Sequence, residues 1–186
     1  MSEVNAVKTT EEVFLVSHLL KLRHSDQMSD IWNIGLNLAL RISDLLSIKF
    51  THIYDDRLSI KESKTRKTTS IKLNEKALKF ISRIKADNPT HVYLFQSHRN
   101  QQSINREPRP LTRRAVSKAF AAVGEEINIH LGTHSMRKTR GYHLYKATND
   151  IARVMRMLRH GSERETLRYI GVTQQEIDRD FVTLEL

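Results

Sequence analysis

An α+β fold, mostly α, with one small three-stranded antiparallel sheet, is what this 186-residue sequence predicts. Three observations carry that expectation. Apolar residues recur at three- and four-residue intervals over most of the chain, as amphipathic helices require. β-branched and aromatic residues alternate with polar ones only between Ile48 and Leu73, the pattern of half-buried strands. No internal repeat and no long linker divides the chain, so one domain is expected over 1–186.

Thr9 and Glu12 have the spacing of a capping box, and Val13, Val16, Leu19 and Leu20 follow at helical intervals, so the first helix should run to Arg23. Ser29 or Asp30 is placed to cap a second helix through Ile31, Ile34, Leu38 and Leu40, with Trp32 as its core anchor. Ile42 to Leu46 reads as a third, short helix. IKFTHIY, LSIKE and SIKL then read as strands, the last two joined by the polar, basic turn SKTRKT. Helical spacing returns at Asn74 with Ala77, Leu78, Ile81 and Ile84 on one face. Asn88 and Pro89 end it, since proline lacks an N–H and restricts the residue before it.

VYLF follows as a short buried strand or extended segment. RNQQSINREPRPLTRR holds two of the three prolines and reads as an exposed loop entering a helix near Thr112. Further helices are expected over 113–123, 134–146, 150–158, 163–170 and 174–183. Residues 1–8 should be flexible, and 172–186 should form a helical tail whose apolar edge is Ile177, Phe181 and Leu184.

Lys and Arg number 31 against 21 Asp and Glu, a formal net charge of +10. Such a surface favours polyanions, because neutralised phosphates release condensed counterions. A merely well-solvated basic surface is the plain alternative, which leaves the decision to motifs. Zero cysteines exclude disulfide frameworks, thiolate zinc sites and cysteine nucleophiles together. No apolar run approaches the roughly 20 residues of a membrane-spanning helix, and MSEVNAVKTTEEV has neither the basic start nor the apolar stretch of a signal peptide. A cytoplasmic protein with no membrane association is expected.

Three distant segments share one chemical theme. In R-I-S-D, Arg41 is followed three residues on by Asp44, a spacing that would let the carboxylate orient the guanidinium on a helix. In H-S-M-R, His134 and Arg137 share a predicted helix face, so an imidazole and a guanidinium can meet one phosphate. A zinc reading of His130, His134 and His143 fails on irregular spacing and the lack of nearby acids. In LRHGSERETLRY a Gly-Ser turn separates His160 from Tyr169. The residues three and four before that tyrosine, Thr166 and Glu165, are polar, which points to an accessible hydroxyl.

Together these residues resemble the C-terminal signature of the tyrosine recombinase, or phage integrase, family. The match is His134-Ser135-Met136-Arg137, then Leu158-Arg159-His160, Thr166 and Tyr169, joined to Arg41 in R-I-S-D. It extends from about Thr9 to Leu186 and implies that family's catalytic-domain fold, without the separate N-terminal core-binding domain of most members.

The resemblance implies catalytic roles for Arg41, Lys64, His134, Arg137, His160 and Tyr169. Tyr169 would attack a DNA phosphate, forming a 3′-phosphotyrosyl link and freeing a 5′ hydroxyl. Arg41 and Arg137, helped by His160, would stabilise the nonbridging oxygens. Lys64 would protonate the leaving oxygen and His134 would take the tyrosine proton. Lys64 opens the SKTRKT turn, and Lys67 is the competing candidate. Arg159 stands where the family has Gly or Asn, which places another cation near the DNA.

Bond energy stays in the phosphodiester, so no cofactor and no metal is expected, and no Walker A motif is present. Expected DNA contacts are Arg66, Lys67, Arg106, Arg109, Arg113, Arg114, Lys138 and Arg159. Expected partners are double-stranded DNA, further copies of the chain as a tetramer on DNA, and accessory DNA-bending proteins; the apolar edge of the tail either packs on its own domain or, as the resemblance implies, docks on a neighbouring protomer. Association with the nucleoid follows. The competing functions are a nonenzymatic DNA-binding regulator on the same scaffold and strand relaxation like that of a type IB topoisomerase.

Overall fold

The computed structural model describes residues 4–97, 107–173, 176, 178, 182 and 183. Helix α1 (Thr10–Arg23) begins at the expected capping box, in which the Glu12 N–H donates to the Thr9 hydroxyl and the Thr9 N–H donates to the Glu12 carboxylate. α2 (Asp26–Leu38) starts earlier than the sequence suggests, because Ser25 caps it by accepting from the Met28 N–H. Ser29 and Asp30 are instead buried inside the helix, where Ser29 meets Ser17 and Asn33 and Asp30 pairs with Arg83. α3 (Ile42–Leu46) follows a sharp turn at Ala39.

The strand expected over IKFTHIY is shorter. A 3₁₀ turn at Phe50–His52 interrupts it, closed by the His52 N–H to the Lys49 carbonyl and by the Lys49 N–H to His52 Nδ1. Only β1 (Ile53–Tyr54) remains, since those local bonds use the donors a ladder would need. It joins β2 (Arg57–Lys61) and β3 (Thr68–Lys72) in an antiparallel sheet of order β1-β2-β3, with Leu58 opposite Ile71 and Lys61 opposite Thr68. Leu58 and Ile60 face the core and their neighbours face solvent.

α4 (Glu75–Asp87) is capped by Asn74 and ends at Asn88, as expected. VYLF, expected as a strand or extended segment, is instead a bridge residue followed by a turn: Tyr93 pairs with Lys49, and Leu94 and Phe95, both fully buried, turn the chain. α5 (Arg113–Glu126), capped by Thr112, outlasts its predicted end because Val123 and Gly124 are still buried. α6 (Ser135–Thr148), α7 (Ile151–Leu158) and α8 (Glu163–Ile170) complete the chain, the last two capped by Asp150 and Ser162.

Packing divides into two clusters. The larger gathers α1 to α5, Met136 of α6 and the sheet around Trp32, whose indole meets Phe120 edge-on at 5.6 Å and donates to the Val13 carbonyl. The smaller joins Ala39, Tyr142, Val154, Leu158 and Ile170 beneath α7 and α8. Gly141 permits the close approach there: a Cβ at that position would lie 2.7 Å from Ile170 Cγ2.

Residues 4–8, part of the segment expected to be flexible, pack against the domain. Val7 is fully buried in the large core, its N–H donates to Thr139 Oγ1, and the Asn5 N–H donates to the His130 carbonyl. Arg106, the rest of 98–106, and the tail residues Ile177, Phe181 and Leu184 lie outside the described residues. Glu176, Asp178, Val182 and Thr183 have helical backbone. Among the described residues no helix is long and apolar enough to cross a membrane.

Candidate active site

The last carbonyls of a helix have no partner inside it and carry its negative dipole end, so they favour cations. Two such ends meet at Arg137. Its guanidinium donates through Nη1 to the Ala39 carbonyl after α2, at 2.7 Å, and through Nη2 to the Leu158 carbonyl at the end of α7. Ala39 and Arg159 both adopt left-handed backbone, φ 50° and 55°, which ends each helix abruptly. Arg137 itself is 5% exposed and stands on the first turn of α6. It therefore locks three helices together, and its charge acts on Tyr169, opposing the rise that burial imposes on the phenol pKa.

Arg41 caps α3 with extended backbone, φ −66° and ψ 147°, so it does not share a helical face with Asp44. The expected pairing between them is accordingly absent. The buried Asp44 carboxylate accepts from the Ser63 N–H at 2.8 Å and from the Ser63 hydroxyl at 2.7 Å, securing the β2–β3 turn. Arg41 Nη1 instead donates to Glu62 Oε2 at 3.2 Å. Glu62 is a functional candidate that sequence reading missed, because its partners come from three separate segments.

That carboxylate also accepts from Thr65 and Thr69 and pairs with Arg159. Burial works to raise its pKa, yet the Thr65 hydroxyl, Arg159 and the Thr69 hydroxyl outweigh it, and Glu62 stays ionised. The six-residue turn it opens is closed by the Glu62 N–H to the Lys67 carbonyl and the Arg66 N–H to the Glu62 carbonyl. Lys64 rides on this turn, exposed and with no side-chain partner among the described residues.

His134, the residue before α6, places Nδ1 3.2 Å from the Tyr169 hydroxyl. The His160 ring meets the Tyr169 ring edge-on at 4.8 Å, and Lys138 Nζ lies 5.1 Å over the same ring. The tyrosine is half-buried rather than openly accessible. Burial raises its pKa, and Arg137 and Arg41 oppose that only in part, so the phenol is protonated at rest. Burial, joined by Arg113, Arg137, Lys138 and Arg41, lowers the pKa of His134 and keeps its imidazole neutral. A neutral imidazole against a protonated phenol is the starting state that general-base chemistry needs.

His160 is also lowered, first by burial and then by Arg137 and Arg41. Its Nδ1 lies 3.3 Å from Thr166 Oγ1, whose only proton is committed to the Ser162 carbonyl at 2.6 Å. Nδ1 must therefore be the donor in that contact, leaving Nε2 for other work.

Five of the six expected catalytic residues thus converge: Arg41, His134, Arg137, His160 and Tyr169. Lys64 joins them only through the turn it shares with Glu62. Of the expected DNA contacts, Arg66, Lys67, Arg109, Arg113 and Arg114 are exposed, with Arg113 close enough to bias His134. Lys138 is buried beneath Tyr169, whereas Arg159 stays exposed while its guanidinium is held by Glu62 and Thr69 Oγ1. Among the described residues no group of three or more His, Cys, Asp or Glu side chains is arranged to hold a metal ion.

The family model described as Phage integrase family matches residues 15–176. A Bacillus subtilis (strain 168) protein named "Probable integrase/recombinase YoeC" is 35% identical over 175 residues, covering 94% of this chain and 93% of that protein. Among solved structures, the XerA recombinase superposes with a TM-score of 0.74 at 14% identity, over 100% of this chain and 66% of that one. A lambda integrase dimer bound to a COC′ core site gives 0.68 at 18% identity, over 93% and 63%. At those identities the structural likeness establishes the fold, and the chain spans about two thirds of the length of these solved chains.

Proposed function

We propose that this chain, which belongs to the phage integrase family and is a tyrosine-type site-specific recombinase, cleaves and rejoins double-stranded DNA through a covalent 3′-phosphotyrosyl link at Tyr169. The observation that carries the mechanism is the Tyr169 hydroxyl 3.2 Å from a neutral His134 imidazole, within the field of Arg137 and Arg41.

The oxygen of Tyr169 attacks phosphorus as its proton passes to His134. The bond from phosphorus to the 5′ oxygen breaks, and that oxygen takes a proton from Lys64. Negative charge gathered on the nonbridging oxygens meets Arg41 and Arg137, with His160 Nε2 adding a donor once protonated. Attack by a 5′ hydroxyl reverses each transfer and releases Tyr169. The exposed arginines around α5 and the β2–β3 turn supply phosphate contacts that fix register. Residues 1–186 act as a catalytic domain that assembles as a tetramer on DNA, with accessory DNA-bending proteins, in association with the nucleoid. The solved relatives include dimers and other complexes on DNA.

Covalent capture tests this reading without a known target sequence. The probe is a pool of nicked duplexes with randomised arms, whose cut strand loses its short 5′ end and cannot be rejoined. The native chain should yield detergent-resistant protein–DNA adduct and Tyr169→Phe none. Retention of DNA without adduct by the native chain would leave a nonenzymatic regulator as the better description.

A further inference from the structure

Glu62 has a buried carboxylate with two oxygens and a divided set of partners. Oε1 takes Arg159 and Thr69, whereas Oε2 takes Thr65 and a single nitrogen of Arg41. The side chain is 3% exposed, so its charge must be met by protein groups. Arg41 spends only Nη1 on it and keeps its remaining donors uncommitted among the described residues, which is what a phosphate-gripping arginine requires.

The Arg159 guanidinium binds Glu62 and Thr69 Oγ1, and among the described residues it makes no other bond. It does this from left-handed backbone at φ 55°, a conformation that glycine or asparagine adopts more readily. An arginine therefore stands where glycine or asparagine would be less strained, immediately before His160.

Resting on the phosphoryl-transfer reading above, we propose that Arg159 is a positioning residue that draws the Glu62 carboxylate off Arg41 and keeps the Arg41 guanidinium free to hold the scissile phosphate. Without Arg159, Arg41 becomes the sole cation facing a buried carboxylate, closes on it with both terminal nitrogens, and is neutralised. Arg159 touches no reacting atom in this scheme, and its effect passes entirely through Glu62.

The scheme predicts a rescue. Arg159→Gly suits the backbone, so its melting temperature should stay near native, yet its adduct formation on the nicked pool should slow about 10- to 100-fold, less than outright loss of a donor. Adding Glu62→Gln should restore the rate to within about threefold of native, because the acid that captures Arg41 is then gone. Removing an exposed acid instead, as Arg159→Gly with Glu163→Gln, should restore nothing.

A second readout needs no catalysis. For a mixed-sequence 30-base-pair duplex, the slope of log affinity against log salt should shrink by about 0.9 in Arg159→Gly, one phosphate contact, and recover with Glu62→Gln. A native-like Arg159→Gly overturns the proposal. So does a slow variant that Glu62→Gln fails to rescue, which would mean that Arg159 meets DNA itself. If the native chain makes no adduct at all, the recombinase mechanism fails and the salt slopes alone decide this proposal.

Discussion

The body of the molecule and its catalytic end are held together by different physics. Around Trp32, five helices, Met136 of α6 and the sheet pack an extensive apolar core, which the buried polar residues Ser29, Asp30 and Asn33 of α2 border. Beneath Tyr169 the apolar cluster is small, and the work passes to polar ties: Arg137 across two helix ends, Glu62 across three segments, and Glu176, which binds Lys8, Tyr142 and the Thr173 N–H. On the proposed mechanism Arg137 both ties this end together and meets the phosphate, so that affinity for a polyanion and local order would be coupled here and separate at the other end.

Arg137→Ala should expose that coupling most strongly. On the proposed mechanism it removes a transition-state donor, for which a loss on the order of 1,000-fold in adduct formation is expected. It also leaves the Ala39 and Leu158 carbonyls unpartnered, at about 1–3 kcal/mol each, so denaturant unfolding should register it as well. Trp32→Ala, by contrast, should cost about 3–5 kcal/mol of stability. Where the protein is still folded, its adduct rate per folded molecule should stay near native. A rate loss as large as that of Arg137→Ala would dissolve the distinction between the two regions.

Ile170→Ala sits between these cases. The small cluster beneath α8 should relax around the lost atoms, so about 2 kcal/mol is expected, near the low end for such truncations. A measurable slowing of adduct formation should accompany it, because α8 carries Tyr169.

The pH responses are the smallest and separate the ties from the chemistry. Burial acts to raise the Glu176 pKa, but the Thr173 N–H, Lys8 and Tyr142 hold it at about 2 against the usual 4.5. A depressed acid contributes stability above its unfolded pKa and loses it as pH falls through the folded one. Thermal melts of the native chain should therefore fall more steeply between pH 4.5 and 2 than those of Glu176→Gln. His134 and His160 lie below the usual 6.5, so adduct formation should hold from neutrality past pH 6.5 and drop only once His134 protonates.

Much of the fold is legible in the sequence where the signal is local. The capping box at Thr9 and the helix starts expected at Asn74, near Thr112, at Asp150 and at Glu163 all lie within a residue of where helices begin, each fixed by one capping side chain and one nearby N–H. The convergence of Arg41, His134, Arg137, His160 and Tyr169 is legible through the resemblance, not through any one residue. What escapes is set by partners distant in sequence. Ser25 rather than Ser29 caps α2 because Ser29 is needed beside Ser17 and Asn33. Asp44 turns to Ser63 because Arg41 lies outside the helix that the spacing assumes. Glu62 carries no motif at all, and only its place between Arg41 and Arg159 gives it meaning.

Peptide mapping of the captured protein–DNA adduct by mass spectrometry goes straight to the central claim. After nuclease trimming, the nucleotide mass should sit on the peptide containing Tyr169, joined through a 3′ phosphate. The same mass on Tyr142 or Tyr145, or attachment through a 5′ phosphate, would contradict the account.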